Sequence, residues 1–146
     1  SRPRVGINKL EIYTDGGARG NPGPAGIGAH ALADSDHLFD LSEYIGNTTN
    51  NVAEYTATIK ALEHLTKTKV RFTNLDFFLD SQLVVKQVNG EYKVKLPHLQ
   101  LLHQQIISLC ELLISQNPNS KINFHYIPRE QNKIADSLVN QALNSL

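Results

Sequence analysis

Three strand-like stretches follow one another in this chain before any helical pattern begins. Residues 10–15, 25–32 and 38–45 either alternate apolar with polar residues or are uniformly small and apolar, as strands do. A segment rich in glycine and proline connects the first two, and the turn-forming sequence Asp34-Ser35-Asp36 connects the second and third. Because these connections are short, we predict an antiparallel meander of three strands.

Helices and strands alternate in the rest of the chain. A helical stripe of apolar residues runs from Val52 to Leu65, with Asn50 or Asn51 as the N-cap. The further predicted elements are a strand over residues 75–79, a helix from the Ser81 cap to Val88 that ends at Gly90, a helix from Pro97 to Asn117, a strand over residues 122–127, and a helix from the Asn132 cap to Leu143. This order predicts an α/β fold whose five-stranded mixed sheet has three antiparallel strands, then two parallel ones, and helices on both faces.

Length and composition limit the number of domains and the location of the protein. The 146 residues, 40% of them apolar, suit one domain, which we assign to residues 9–146, with residues 1–8 as an N-terminal extension or linker. The 14 basic and 14 acidic residues cancel, so any contact with a polyanion must be local.

The single Cys110 excludes an internal disulfide framework, and no stretch approaches the ~18 apolar residues of a membrane span. We therefore expect no membrane contact and a reducing, cytoplasmic location. The absence of methionine favours a processed end, a tag remnant or a domain of a longer polypeptide.

Four acidic residues fall where predicted strands end or predicted helices begin. Asp15 and Asp80 each follow a strand, and Glu54 and Asp136 lie in the first turns of two helices. Since functional sites collect at the carboxyl ends of parallel strands, we expect the four carboxylates to meet at one edge of the sheet. Grouped carboxylates repel one another unless hard cations bind between them. Two Mg²⁺ ions about 3.5–4 Å apart would suit in-line hydrolysis of a phosphodiester.

Each carboxylate also has a purely structural explanation. Glu54 stands three residues after Asn51, as in a capping box, and Asp136 is favoured by the dipole of its helix. Asp80 suits a strand-to-helix turn, and Asp15 could brace the glycine-rich segment that follows it. These explanations are separate for each residue, whereas a metal site explains all four together.

The glycine-rich segment, residues 16–23, allows two interpretations. It lacks the terminal Gly-Lys-Ser/Thr of a phosphate-binding P-loop and no helix follows it, which argues against a mononucleotide site. A plain turn is one explanation. The other is that small residues let backbone groups approach the sugar edge of a nucleic acid, where the 2′-hydroxyl distinguishes RNA from DNA.

Four ordered blocks of the sequence resemble the signature blocks of type I ribonuclease H. They are Tyr13-Thr14-Asp15-Gly16-Gly17-Ala18-Arg19-Gly20-Asn21-Pro22-Gly23-Pro24-Ala25-Gly26, Thr49-Asn50-Asn51-Val52-Ala53-Glu54, Asp80-Ser81-Gln82-Leu83-Val84, and Asn132-Lys133-Ile134-Ala135-Asp136. The blocks come in the family's order and span nearly the whole chain. The resemblance implies the ribonuclease H-like fold and hydrolysis of the RNA strand of an RNA–DNA hybrid, with Mg²⁺ or Mn²⁺ and little sequence specificity. The products would carry a 5′-phosphate and a 3′-hydroxyl.

The resemblance also implies roles for individual residues. The expected catalytic metal ligands are Asp15, Glu54, Asp80 and Asp136. The positions that match contacts to RNA 2′-hydroxyls or minor-groove edges are Gly17, Asn21, Asn50, Asn51 and Gln82, and Thr49 matches a position that holds a phosphate of the DNA strand. Asn and Gln carry both donors and acceptors, which suits a 2′-hydroxyl. Without the surrounding blocks, a capping role would be favoured for Asn50 and Asn51, and an exposed position at a helix start for Gln82.

Two features depart from the family pattern. Many members carry a mobile histidine in the loop before the last aspartate, but residues 128–132 contain none, and His125, within a predicted strand, is expected to be structural. We therefore expect retained activity with slower turnover, as in a short-loop subgroup. Residues 90–97 join two helices directly, without room for a basic protrusion. Modest, salt-sensitive affinity should then depend on Lys86, Lys93, Lys95, Arg129 and Lys133.

Two rival functions remain open at this point. A hybrid-binding module without turnover would not need all four acids. An integrase-like enzyme or a Holliday-junction resolvase shares the fold, but the glycine-rich segment and the Asn-Asn-x-x-Glu block favour the hybrid nuclease. His98 and His103 do not have zinc-site spacing and are expected at the surface or in an interface. We expect a monomer, alone or fused to another domain, with an RNA–DNA hybrid as its partner.

Overall fold

The computed structural model describes residues 6–146, which form five strands, four α-helices and one 3₁₀ turn. The elements are β1 (Ile7–Ala18), β2 (Gly23–Ala33), β3 (Asp36–Thr48), α1 (Asn50–Thr68), β4 (Phe72–Leu79), α2 (Gln82–Val88), α3 (Pro97–Gln116), β5 (Lys121–Tyr126), the 3₁₀ turn (Arg129–Gln131) and α4 (Lys133–Asn144). Residues 1–5 of the predicted extension lie outside the described residues, whereas Ile7 and Asn8 already belong to β1.

The strands form one mixed sheet in the order β3-β2-β1-β4-β5. The β1–β2 and β2–β3 pairs are antiparallel, and the β1–β4 and β4–β5 pairs are parallel. Helix α1 packs on β1 and β2 with α3 behind it, while α4 packs on β2, β3 and β1 from the opposite face. The predicted five-stranded α/β fold with helices on both faces is confirmed.

The main core lies between the sheet and α1. Its fully buried side chains include Leu10, Ile12, Phe77, Leu79, Tyr55, Leu62, Ile106 and Leu113. Cys110 of α3 packs at the margin of this core and is partly buried; burial, and then the charge of Glu111, raises the pKa of its thiol to about 11. No helix within residues 6–146 is long and apolar enough to cross a membrane.

The first strand is longer than the sequence pattern predicts. Gly16, Gly17 and Ala18, which we assigned to a loop, continue β1 and pair with β2, so that only residues 19–22 form the turn. The prediction was wrong because glycine was taken as a sign of a turn. Here it lies in a strand that other backbone segments approach closely.

The predicted starts of α2 and α3 are confirmed, whereas the predicted start of α1 is wrong. The backbone N–H of Val84 donates to the Ser81 hydroxyl at the start of α2, and Pro97 opens α3. The N-cap of α1 is Thr49, whose hydroxyl accepts from the N–H of Val52. Neither Asn50 nor Asn51 is the cap, because both already belong to the helix.

Asn117 ties the end of α3 to the start of β4. Its carboxamide oxygen accepts from the N–H of Phe72 at 3.0 Å, and its nitrogen donates to the carbonyls of Val70 and Leu113. Asn117 is 3% exposed, so loss of its side chain would remove the side-chain partners of the Phe72 N–H and the Val70 carbonyl in or near the interior. The Leu113 carbonyl still accepts from the backbone N–H of residue 117.

We expect Asn117→Ala to lower the free energy of unfolding by roughly 2–4 kcal/mol, since each unpaired buried group costs about 1–3 kcal/mol. Urea unfolding followed by circular dichroism measures the change. Asn47→Ala, at an exposed position of β3, is the matched control and should change stability little. Equal stability of the two variants would contradict this account.

Candidate active site

Two of the four predicted carboxylates follow the carboxyl ends of adjacent parallel strands. The parallel pairing of β1 with β4 ends at Thr14 opposite Leu79, and Asp15 and Asp80 come next along the two strands. This is the placement that the sequence predicted for them. Asp15 itself remains within β1, which goes on to pair only with β2.

Two glycines bring helices close enough to add the other carboxylates. A Cβ atom on Gly16 would lie 2.2 Å from the carbonyl oxygen of Ala53, so the missing side chain lets α1 place Glu54 beside Asp15. A Cβ atom on Gly28 would lie 2.3 Å from the carbonyl oxygen of Ala135, which brings α4 and its Asp136 to the same edge. Glu54 lies just beyond the first turn of α1, one or two residues further into the helix than predicted, whereas Asp136 lies in the first turn as expected.

Three of the four carboxylates lie within reach of a common ligand, and the fourth lines the same cleft. Asp15, Glu54 and Asp80 each offer an oxygen atom within 4.8 Å of the others. Asp15, Glu54 and Asp136 line one cleft of about 160 Å³ together with Arg129. Asp15 is central, because it interacts electrostatically with each of the other three carboxylates.

Burial and mutual repulsion dominate the electrostatics of this cluster. Burial, and then the charges of Asp80 and Asp136, raises the pKa of Asp15 to about 7, although the N–H of Gly16 donates to its carboxylate at 3.0 Å. Burial, and then the charges of Asp15 and Asp80, raises the pKa of Glu54 well above its ordinary value, with Arg129 opposing the shift. Ionising these carboxylates together is unfavourable, because they are buried and repel one another. Divalent cations would offset this repulsion and prefer oxygen ligands, so the cluster is suited to bind them.

Asn132 is a site residue whose role the sequence analysis missed. Its carboxamide nitrogen donates to the carbonyl of Thr14 at 2.9 Å and to Oδ2 of Asp80 at 2.8 Å. The residue stands at the N-cap position of α4, but its side chain makes no capping bond, so that part of the prediction was wrong. Its Oδ1 is buried without a partner. The side chain of Asn132 therefore links β1, which carries Asp15, to Asp80, which follows β4. The sequence signal for this role was the position of Asn132 in the same block as Asp136.

Three of the predicted substrate-binding residues form a connected rim beside the cleft. Asn50 accepts from the N–H of Ala18 through its side chain, and its own N–H donates to Oδ1 of Asn21. Gly17 lies in the cleft wall. The Asn21–Pro22 peptide is cis. The rim thus joins the β1–β2 turn to the start of α1.

The remaining predicted substrate-binding residues are placed as follows. Thr49 caps α1, next to Asn50. The side chains of Asn51 and Gln82 are exposed at the starts of α1 and α2. All of these residues are therefore at helix N-termini, where backbone N–H groups favour anions such as phosphates.

The two departures from the family pattern are visible in the structure. The connection from β5 to α4 contains the short 3₁₀ turn Arg129–Gln131 and no histidine. His125 lies on β5, where its Nε2 is 2.7 Å from Oδ1 of Asp76, and it does not line the cleft. Within the described chain, no helix interrupts the connection from Val88 to Pro97.

Only one of the predicted basic contacts lies in the cleft itself. Arg129 lines it, while Lys133 lines a neighbouring cavity of about 280 Å³ with Tyr13 and His30. The amino group of Lys86 is 3.3 Å from the hydroxyl of Tyr92 and lies over its ring. Lys93 and Lys95 are exposed in the connection before α3.

Removal of the central carboxylate should stabilise the metal-free protein. The raised pKa of Asp15 means that the folded state holds its proton more tightly than the unfolded chain does, so stability falls as the pH rises from about 4 to about 7. We expect Asp15→Asn to unfold with a free energy roughly 1–3 kcal/mol higher than wild type at pH 8 in EDTA, since each pKa unit is worth ~1.4 kcal/mol and water in the cleft weakens the repulsion.

Urea unfolding across this pH range measures the difference, which should shrink towards pH 4. Glu91→Gln removes an exposed carboxylate outside the cleft and should not change stability. Mg²⁺ should stabilise wild type more than Asp15→Asn. A less stable Asp15→Asn variant at pH 8 would contradict the described repulsion.

Comparisons with known proteins agree with the fold and the motifs. A protein-family profile described as "Reverse transcriptase-like" matches residues 13–142. The bifunctional protein Rv2228c of Mycobacterium tuberculosis is 41% identical over 140 residues, which are 94% of this chain and 36% of that protein. A ribonuclease H of Ruthia magnifica subsp. Calyptogena magnifica is 33% identical over 148 residues, covering 96% of this chain and 99% of that one.

Solved structures give the same result. The crystal structure of LC11-RNase H1 in complex with RNA/DNA hybrid has a TM-score of 0.81 and 43% identity, covering 93% of this chain and 97% of that one. The N-terminal RNase H domain of the M. tuberculosis protein has a TM-score of 0.80 and 42% identity, covering 92% and 98%. This chain thus spans about a third of the full-length M. tuberculosis protein and nearly all of its solved N-terminal domain.

Proposed function

This chain belongs to the type I ribonuclease H family, and from that membership we propose that it hydrolyses the RNA strand of RNA–DNA hybrids by two-metal-ion catalysis. The observation that carries the proposal is the meeting of Asp15, Glu54 and Asp80 at the carboxyl edge of the parallel strands, with Asp136 in the same cleft as Asp15. The complex of LC11-RNase H1 with an RNA/DNA hybrid supports the substrate class.

The four carboxylates are the proposed metal ligands. Mg²⁺ ions held there, or Mn²⁺ in their place, would supply the positive charge that stabilises the attacking and leaving oxygens of the phosphodiester. The chain itself fixes the ligands: the N–H of Gly16 holds Asp15, Asn132 holds Asp80, and the two close helix contacts hold Glu54 and Asp136. Such preorganisation lowers the cost of reaching the transition state.

The rim beside the cleft, together with residues at the starts of α1 and α2, is the proposed contact with the hybrid. Gly17, Asn21, Asn50, Asn51 and Gln82 would contact 2′-hydroxyls and minor-groove edges, and Thr49 a phosphate of the DNA strand. Carboxamides that both donate and accept suit a 2′-hydroxyl, and the shallow minor groove of the hybrid is read by shape. Little dependence on base sequence should result.

A panel of substrates that share one RNA sequence tests the substrate class. The labelled RNA is presented as a DNA hybrid, as an RNA duplex and as a single strand, beside a DNA duplex of the same sequence. We expect cutting confined to the hybrid in Mg²⁺. Equal cutting of the DNA duplex would instead favour the integrase-like or resolvase-like alternative.

The product ends test the chemistry. Hydrolysis by water leaves a 3′-hydroxyl that a polymerase extends and a 5′-phosphate that a ligase accepts. Fragments that end in a 2′,3′-cyclic phosphate would mean attack by the neighbouring 2′-hydroxyl, and would overturn the proposed mechanism.

A further inference from the structure

Two histidines and an aspartate meet on the β2–β3 hairpin, outside the acidic cleft. His30 of β2 pairs directly with Asp40 of β3, so their side chains lie on the same face of the sheet. His37 precedes Asp40 by three residues and would point to the opposite face in a regular strand. A shift in register skips Leu38 and places His37 opposite Leu32, on the face of His30. The bulge therefore assembles the cluster.

The three side chains bring their ligand atoms close together. His30 Nδ1 lies 2.7 Å, and His37 Nε2 lies 3.0 Å, from the same oxygen, Asp40 Oδ1. One donor atom from each residue lies within 4.8 Å of the others. Metal–ligand bonds of about 2.0–2.2 Å in a tetrahedral site place the ligand atoms roughly 3.3–3.6 Å apart. Small side-chain movements would therefore open the triangle for an ion.

The chemistry of these ligands differs from that of the cleft. Two imidazoles and one carboxylate suit borderline divalent cations such as Zn²⁺, Ni²⁺ and Cu²⁺. Burial tends to raise the pKa of Asp40, but the hydrogen bonds of His30 and His37 outweigh it and hold that pKa below its ordinary value, so the carboxylate is charged. The side chains of His37 and Asp40 are 55% and 38% exposed, which gives an ion access from solvent.

We propose that His30, His37 and Asp40 bind one borderline divalent cation, with water completing its coordination, at a site separate from the acidic cleft. None of the three residues lines that cleft. The cluster around Asp15 consists of carboxylates, which favour hard cations, so the two sites differ in metal preference as well as in place. The proposal does not depend on the nuclease function. The alternative is a hydrogen-bonded triad in which Asp40 accepts from both rings, and it predicts no metal uptake.

Isothermal titration with zinc chloride, in excess Mg²⁺ and in the Asp15→Asn background, tests the proposal. We expect one Zn²⁺ per chain. His37→Ala should weaken its binding at least roughly tenfold, since even outer-shell partners of metal ligands are worth 10–100-fold in affinity. His98→Ala, at an exposed position of α3, is the matched control and should bind like its parent.

A second measurement uses the protein with all its histidines, so that it does not depend on the folding of a variant. Zn²⁺ should shift the NMR ring signals of His30 and His37 and leave those of His98 in place. No uptake of Zn²⁺ by the folded protein, or uptake that is unchanged in His37→Ala, would overturn the proposal. Because His37 lies outside the catalytic cluster, His37→Ala should also cleave hybrids in Mg²⁺ at the wild-type rate.

Discussion

Asp15→Asn is expected to lower the rate of hybrid cleavage by at least about 10³-fold, a larger loss than the 10²–10³ that follows removal of one oxyanion donor. Asp15 interacts with Asp80, Asp136 and Glu54, so its loss affects every part of the cluster at once. The carboxamide keeps the shape of the side chain but removes its charge. Single-turnover cleavage of a labelled hybrid in Mg²⁺ measures the change.

The same variant should still bind the hybrid. The contacts proposed for Asn21, Asn50 and Gln82 are separate from the charge of Asp15, so the dissociation constant should stay within about threefold, or ~0.6 kcal/mol. The variant should also be more stable than wild type at pH 8 without metal. Asp36→Asn, at an exposed position of β3, is the control for activity. Asp15→Asn with near-wild-type cleavage would remove Asp15 from the catalytic set.

Gly28→Ala is expected to reduce both stability and activity. The added Cβ would lie 2.3 Å from the carbonyl oxygen of Ala135 and 2.8 Å from Cβ of Leu138, so α4 must move away from the sheet. Overpacking costs about 1–3 kcal/mol, and the upper part of that range is expected because the nearest atom belongs to the backbone. Since α4 carries Asp136, a displacement of even ~1 Å should also slow cleavage by roughly 10²-fold.

Urea unfolding and single-turnover cleavage measure the two effects of Gly28→Ala. Gly17→Ala is the matched control for stability. Its Cβ would meet only Cγ1 of Val139, at 3.8 Å, which is an ordinary contact. Gly28→Ala with wild-type stability would show that α4 does not pack against β2 as described, and wild-type activity would show that the position of Asp136 is not critical.

The sequence predicted the element order and the edge at which the acids meet. Apolar patterns, together with cap and turn residues, identified the five strands and the four α-helices, but not the 3₁₀ turn Arg129–Gln131. Asp15 and Asp80 were placed correctly because each comes directly after the paired part of a parallel strand. Periodicity could not show how far each strand continues. Gly16 and Gly17 extend β1 without contributing side chains to any apolar pattern, and the close approach of α1 to Gly16 is a contact between segments distant in sequence.

Contacts between distant segments were beyond the reach of sequence patterns. The sequence predicts a helix cap at Asn132, but its side chain donates hydrogen bonds to Thr14 and Asp80, which are distant in sequence. Thr49, rather than Asn50 or Asn51, is the cap of α1 because β3 continues to Thr48 and the helix already begins at Asn50. The cluster of His30, His37 and Asp40 requires a bulge in β3, and no pattern in the local sequence predicts that bulge.

The most direct test of the account uses an RNA–DNA hybrid labelled on both strands. We predict that the RNA strand is shortened in Mg²⁺, that the DNA strand stays intact, and that EDTA stops the reaction until Mg²⁺ is restored. Tight binding of the hybrid without shortening of the RNA in Mg²⁺ or Mn²⁺ would contradict the account, because the four carboxylates would then serve a binding module rather than a nuclease.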